Sequence, residues 1–259
     1  MTSPGNNHEK ETGHRFSHLG SNEHLPQLPP TKVKPIPNTD IHHDASHNKH
    51  LHHDQSAKYK NKVKNVPTIQ CDENNLENIP VNLSSIVEAL ILHNDEVGTK
   101  HSVMSVDWSL FSNLTILDLS YNRIYNLIGL NLQSEQLIYL SLEHNLLDYV
   151  PNRTFAGVTH LISLSLAHNT IEMLHRKSLW DVRHLTFLDL SHNRLFELDP
   201  EWFFNLQELH NLNMRYNNIH KIQGMAFSQM IQLQVLDLSN NQIKTIHRQA
   251  FQGLKRLHR

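Results

Sequence analysis

The chain has 259 residues, room for one or two domains, and sets 23 Lys and Arg against 25 Asp and Glu. A net charge of −2 gives no case for nucleic acid or an anionic membrane surface as partner. No apolar run approaches the roughly 18 residues needed to span a bilayer. The N-terminus holds only scattered Phe16, Leu19, Leu25 and Leu28 in place of a secretory leader.

Residues 1–65 lack apolar periodicity and are broken by Pro26, Pro29, Pro30, Pro35 and Pro37. Such a composition buries too little apolar surface to offset the cost of ordering the chain, so a disordered tail is expected. His42, His43, His47, His50, His52 and His53, with Asp44 and Asp54, are dense enough to chelate a divalent ion. The plainer reading is a solvated low-complexity tail that meets metal incidentally. No cofactor is expected.

Order should begin with a cap-like segment, residues 66–86. It opens on the strand-like Thr68-Ile69-Gln70-Cys71 and continues Leu76-x-x-Ile79-Pro80. Cys71 is the only cysteine, so no intrachain disulfide is possible. From residue 87 to 259 one line then recurs. Leu185, Leu188, Leu190, Asn193, Leu195, Leu198, Phe203 and Leu206 fall at offsets 0, 3, 5, 8, 10, 13, 18 and 21. Counting again from Leu209 gives Leu212, Met214, Asn217, Ile219, Ile222, Phe227 and Met230. Copies start at Val87, Leu114, Leu137, Leu161, Leu185, Leu209 and Leu233, the last five 24 residues apart, and Leu257 opens a truncated eighth. So many offsets holding through consecutive copies is specific, because leucine alone recurs too often to mean much.

The L-x-L core of each copy has period two, sending its leucines to one side and the residues between them to the other. Stacked copies pair these strands in parallel at about 4.8 Å. That predicts a solenoid, a horseshoe with a parallel sheet on its concave face and irregular or 3-10 turns on its convex face. The offset-18 column, Leu132, Phe155, Leu179, Phe203, Phe227 and Phe251, fills the interior, with Trp108 in its place earlier. Asn122, Asn145, Asn169, Asn193, Asn217 and Asn241 form a second, structural column, since an amide both donates and accepts where a tight turn leaves backbone groups unpaired. His144, His168 and His192 each precede one of these asparagines and should stack as near neighbours. A metal or pH-sensing role is open to them, but Ser239-Asn240-Asn241 shows that other residues write the same exposed turn.

Cys71-x4-Leu76-x-x-Ile79-Pro80 together with this repeat resembles extracellular leucine-rich-repeat proteins of the 24-residue type, among them Toll-like receptor ectodomains, Slit-type guidance proteins and neuronal adhesion receptors. That family staples its cap with paired cysteines, whose upstream partners are missing here. The resemblance implies recognition or adhesion at a cell surface, in innate immunity or development. Asn82, Asn113 and Asn152 head Asn-x-Ser/Thr triplets that glycosylation would use if the chain were secreted, although this composition yields such matches by chance.

No glycine-rich phosphate loop, paired Cys-x-x-Cys, or Ser/His/Asp set held in one pocket is legible, so no enzyme is expected. The leading reading is a module that binds a protein ligand through outward residues of the concave sheet. Most of these are Ser, Asn or Asp; Tyr139, Glu143, Phe187 and Arg215 stand out, with Asp189 placed to orient Arg215 from the neighbouring strand. The rivals are an intracellular scaffold, for which the missing leader and lone cysteine speak, and a metal-responsive protein built on the histidine tail. The last copy has no successor to cover it, which points to end-to-end self-association.

Overall fold

The computed structural model describes residues 66–72, 87–93, 108–128 and 130–258, all within one compact unit. The histidine tail, Leu76 to Pro80 and Asn82 lie outside the described residues. Short strands follow one another along the chain: β1 (Thr68–Asp72), β2 (Ala89–His93), β3 (Ile116–Asp118), β4 (Tyr139–Ser141), β5 (Tyr149–Val150), β6 (Ser163–Ser165), β7 (Met173–Leu174), β8 (Phe187–Asp189), β9 (Asn211–Asn213), β10 (Lys221–Ile222), β11 (Val235–Asp237) and β12 (Thr245–Ile246).

Eight of them make one sheet in the order β1-β2-β3-β4-β6-β8-β9-β11. Every neighbouring pair is parallel, and the repeat spacing fixes the register: Leu117 faces Leu140, Leu140 faces Leu164, and Leu164 faces Leu188. β1 adds a strand ahead of the first repeat, with Thr68 opposite Ala89; the N–H groups of Glu88 and Ala89 donate to the Pro67 carbonyl. The chain returns along the convex side through turns, 3-10 helices at Trp108–Leu110 and Pro200–Phe203, and two small ladders, β5 with β7 and β10 with β12. Pro200 starts its helix because Asp199 caps it, the Asp199 carboxylate accepting from Glu201 N–H at 3.0 Å.

Between sheet and return path lies a single continuous core. The Leu-x-Leu side chains of the copies before the last and the offset-18 side chains from Leu132 to Phe227 are buried there, with Phe203 and Phe227 ring to ring at 6.3 Å. Phe251, in the last copy, is 41% exposed, and Leu236, Leu238, Ile243, Leu254 and Leu257 are only partly covered.

The asparagines explain why such short strands hold together. Asn193 Nδ2 donates to the Leu166 carbonyl of the previous copy at 2.9 Å and to Leu190 of its own at 3.1 Å, while its Oδ1 accepts from Ile171 N–H at 3.0 Å. Asn145, Asn169, Asn217 and Asn241 repeat the pattern on Ile124, Leu147, Leu195 and Ile219. Asn122 likewise donates to Leu92 and Leu119. Each amide thus ties one turn to the copy before it, satisfying groups that burial would otherwise leave without a partner.

Candidate partner-binding face

Alternation along the strands sends rows of side chains to the concave face. The first row passes through Ala89, Ile116, Tyr139, Ser163, Phe187, Asn211 and Val235, which the register aligns. At its N-terminal end this row is apolar and closed. Ala89, Ile116 and Tyr139 form a second cluster against which Val66, Ile91, Ile138 and Ile162 pack. Tyr139, expected as an outward anchor free of packing duty, is only 2% exposed there; apolar neighbours on the adjacent strands give its ring somewhere to bury. Farther along, the row opens: Phe187 is half-buried beside the polar Ser163 and Asn211.

Asp189 and Arg215 sit on this open half but do not pair as expected. The Asp189 carboxylate accepts from Ser191 N–H at 2.8 Å and from the Asn213 amide at 2.9 Å. The Arg215 guanidinium instead lies over the Tyr216 ring, 4.6 Å from its centroid, and donates to the Tyr216 hydroxyl at 3.2 Å. Asn213 is directly opposite Asp189 in the ladder and so reaches the carboxylate first. Glu143 is half-buried in the turn after β4.

At the N-terminal end, His93, Asp118 and Ser120 meet across two copies, a contact the sequence reading missed. His93 Nε2 stands 3.3 Å from Asp118 Oδ2 and 3.1 Å from Ser120 Oγ. Burial pushes the Asp118 carboxyl upward, but hydrogen bonding to His93, the His93 charge and the bonds from Ser120 outweigh it and hold Asp118 below the usual range. A nucleophilic relay needs serine on one imidazole nitrogen and the carboxylate on the other. Here both approach the same nitrogen, and Ser120 is buried, so the arrangement orders the rim and has no relay geometry.

Next to the concave rows runs a column of rings. Tyr121 stacks on His144 at 4.3 Å, His144 on His168 at 4.1 Å, His168 on His192 at 4.0 Å, and His192 on Tyr216 at 4.4 Å. These residues, and Asn240 after them, have φ between 51° and 57°. That left-handed conformation admits Asn and His more readily than most residues and penalises β-branched ones, which is why the turn is written with these types. Their N–H groups donate to Glu143, Ala167, Ser191, Arg215 and Ser239 carbonyls of the next copy. Desolvation first, then the facing His144, hold His168 below the ordinary histidine range. Desolvation, His168 and, more weakly, Arg215 do the same for His192 against the opposing pull of Asp189.

Asn113 and Asn152 are exposed. The hydroxyls of Thr115 and Thr154, which complete their triplets, donate to the Glu88 and Pro151 carbonyls. Among the described residues no group of three His, Cys, Asp or Glu is placed to hold a metal, and no helix is long and apolar enough to cross a membrane.

Residues 135–195, 190–230 and 207–259 match a family model described as leucine rich repeat. None of the curated proteins matches the sequence. Of the solved structures 380 chains match, so the architecture is widely shared and says little by itself about function. One of them, from the crystal structure of a TLR13–ssRNA13 complex, has a TM-score of 0.56 and 24% identity over 66% of this chain. Only 24% of that neighbour's own length is spanned, and the likeness is one of fold. It nevertheless corrects the exclusion of nucleic acid drawn from net charge, because a solenoid of this fold is seen in complex with ssRNA. Net charge sums over the whole chain, whereas nucleic acids are held by local cations and rings that the sum conceals. The repeat spacing, the asparagine ties between copies and the family match identify residues 135–259 as leucine-rich repeats.

Proposed function

We propose that the chain is a non-enzymatic binding module that recognises a protein partner through the open half of its concave face, as part of a cell-surface or secreted recognition protein. The carrying observation is the contrast along that face. Its N-terminal half is closed by apolar packing around Tyr139, whereas on adjoining copies Phe187 and Arg215 are only half-buried and Tyr216 is 43% exposed. Aromatic and arginine side chains are the types most enriched at interface hot spots. Two polar side chains beside them are already hydrogen-bonded: Asp189 to Ser191 and Asn213, and Asn213 to Arg215 N–H. A partner therefore meets the Phe187 ring and the Arg215 guanidinium that caps Tyr216. The rigid sheet presents these without further ordering cost. The extracellular setting rests on the resemblance in repeat and cap, and glycosylation at Asn113 and Asn152 would accompany it.

A second reading, ssRNA as the ligand, is supported by the TLR13–ssRNA13 likeness. One experiment separates the two. The native chain is screened against a panel of displayed ectodomains and, by fluorescence anisotropy, against a single-stranded RNA oligonucleotide. Phe187→Ser and Arg215→Ser are then compared with the convex control Arg176→Ser, whose exposed pairing with Asp199 contributes little. At least about a tenfold loss is expected in each concave variant, matching a truncated hot-spot residue. Concave variants that fold and bind every partner as tightly as the control refute the reading. Retained binding of RNA alone, with no protein captured, favours the second.

A further inference from the structure

Partner binding does not explain why the middle of the ring column is imidazole. The turn accepts Asn240 at φ 54°, and it accepts Tyr121 and Tyr216 at 57° and 53°. A tyrosine would supply the same stacked ring with no proton exchanged near neutrality. Instead His144, His168 and His192 lie face to face at 4.0–4.1 Å, with interplanar angles of 11–12°. Neutral imidazoles at this distance attract by dispersion, whereas two imidazolium rings there repel with little water between them. The ring faces are also used up. His93 meets Tyr121 edge-on at 6.0 Å at one end, and Arg215 covers Tyr216 at the other. An incoming ring or nucleobase finds no open face within the column.

We infer that this column is an acid-sensitive latch on the rim of the concave face. Neutral rings lock neighbouring left-handed turns together, and protonation drives the imidazoles apart, releasing the rim on which Arg215 and Tyr216 stand. Asp189 and Arg215 face His192 from β8 and from the turn after β9. Glu143 precedes His144 in its own turn, β6 contributes no charged side chain, and His93 pairs with Asp118 beside Tyr121. His168 is the middle ring, with an imidazole on each face. The consequence for binding rests on the concave-face reading, but the latch itself is tested without a partner.

Imidazole signals are followed by NMR in the full-length chain as the solution is taken from about pH 8 to about pH 5, across the histidine range. His192→Tyr and His168→Tyr keep a ring in the column; His168→Asn keeps the turn conformation and removes the ring. His168 is expected to titrate below an unperturbed histidine and to move upward in His192→Tyr, and His192 to move upward in both His168 variants. A His168 that titrates as an ordinary histidine, or that does not move in His192→Tyr, overturns the latch. If one tyrosine variant fails to fold, the other carries the same comparison. Should the titrations behave as expected while Phe187→Ser and Arg215→Ser bind as the control does, the concave-face reading falls and the latch stands.

Discussion

Asn217 and Asn218 are neighbours of identical chemistry, and the structure gives them opposite weights. Asn217 is 4% exposed. Its amide donates to Leu190 at 2.9 Å and Met214 at 3.1 Å, and its Oδ1 accepts from Leu195 N–H at 3.0 Å. In Asn217→Ala the two carbonyls keep a second donor, because Asn193 also serves Leu190 and Asn241 also serves Met214. Leu195 N–H keeps nothing and is buried with its residue. One orphaned buried donor costs about 1–3 kcal/mol, and the weakened carbonyl bonds add to it, for about 2–4 kcal/mol in all. Asn218 is half-exposed and its side chain meets only Gln242, at 3.2 Å on the surface, so Asn218→Ala should stay within about 0.5 kcal/mol. Asn217→Asp is the sharper probe: it keeps the acceptor for Leu195 but turns a carboxylate oxygen on two carbonyls, and should cost at least as much as alanine. Urea unfolding followed by circular dichroism ranks the three. Equal midpoints for Asn217→Ala and Asn218→Ala, or an Asp variant as stable as the native chain, would refute the account of the column.

Phe203→Ala should cost about 3–5 kcal/mol through the cavity it leaves, whereas Phe251→Ala, already 41% exposed, should cost less than half as much by the same melts. Gly157→Ala should destabilise by at least about 1–3 kcal/mol, the range for an overpacked site, because its Cβ would collide with the backbone carbonyl oxygen of Leu132, which cannot swing away; a midpoint equal to the native one would contradict this close approach. Asp118 has a folded pKa below its ordinary value, so its contribution is complete above about pH 3.8 and is lost as pH falls below that value through the lower folded one. Thermal melts below about pH 4 should therefore fall less steeply in Asp118→Asn than in the native chain, and parallel acid limbs would count against the pairing with His93.

What was legible in the sequence was whatever a fixed spacing enforces. A 24-residue period places Leu164 opposite Leu188, and Asn193 one copy from Leu166, so register, core and asparagine ties could be written before any coordinates. Contacts chosen among several neighbours within reach were not legible. Asp189 had both Asn213 and Arg215 in range, and took the residue directly opposite it in the ladder. Arg215 then found its own neighbour Tyr216. Tyr139 occupies the same row as Phe187, yet one is closed in and the other is open, because Ala89 and Ile116 precede the first whereas Ser163 and Asn211 flank the second. His93, Asp118 and Ser120 escaped because the first copy is longer than the rest, which blurs offset arithmetic where they meet. The ring column was visible as a histidine before the asparagine in three successive copies, but its meaning lies in a backbone angle that no spacing reports. Once that turn is left-handed, residue choice narrows to types that tolerate it, and stacking then favours rings among them. The chain had several ways to satisfy both demands, and at three successive copies it used the one side chain whose charge changes near neutral pH.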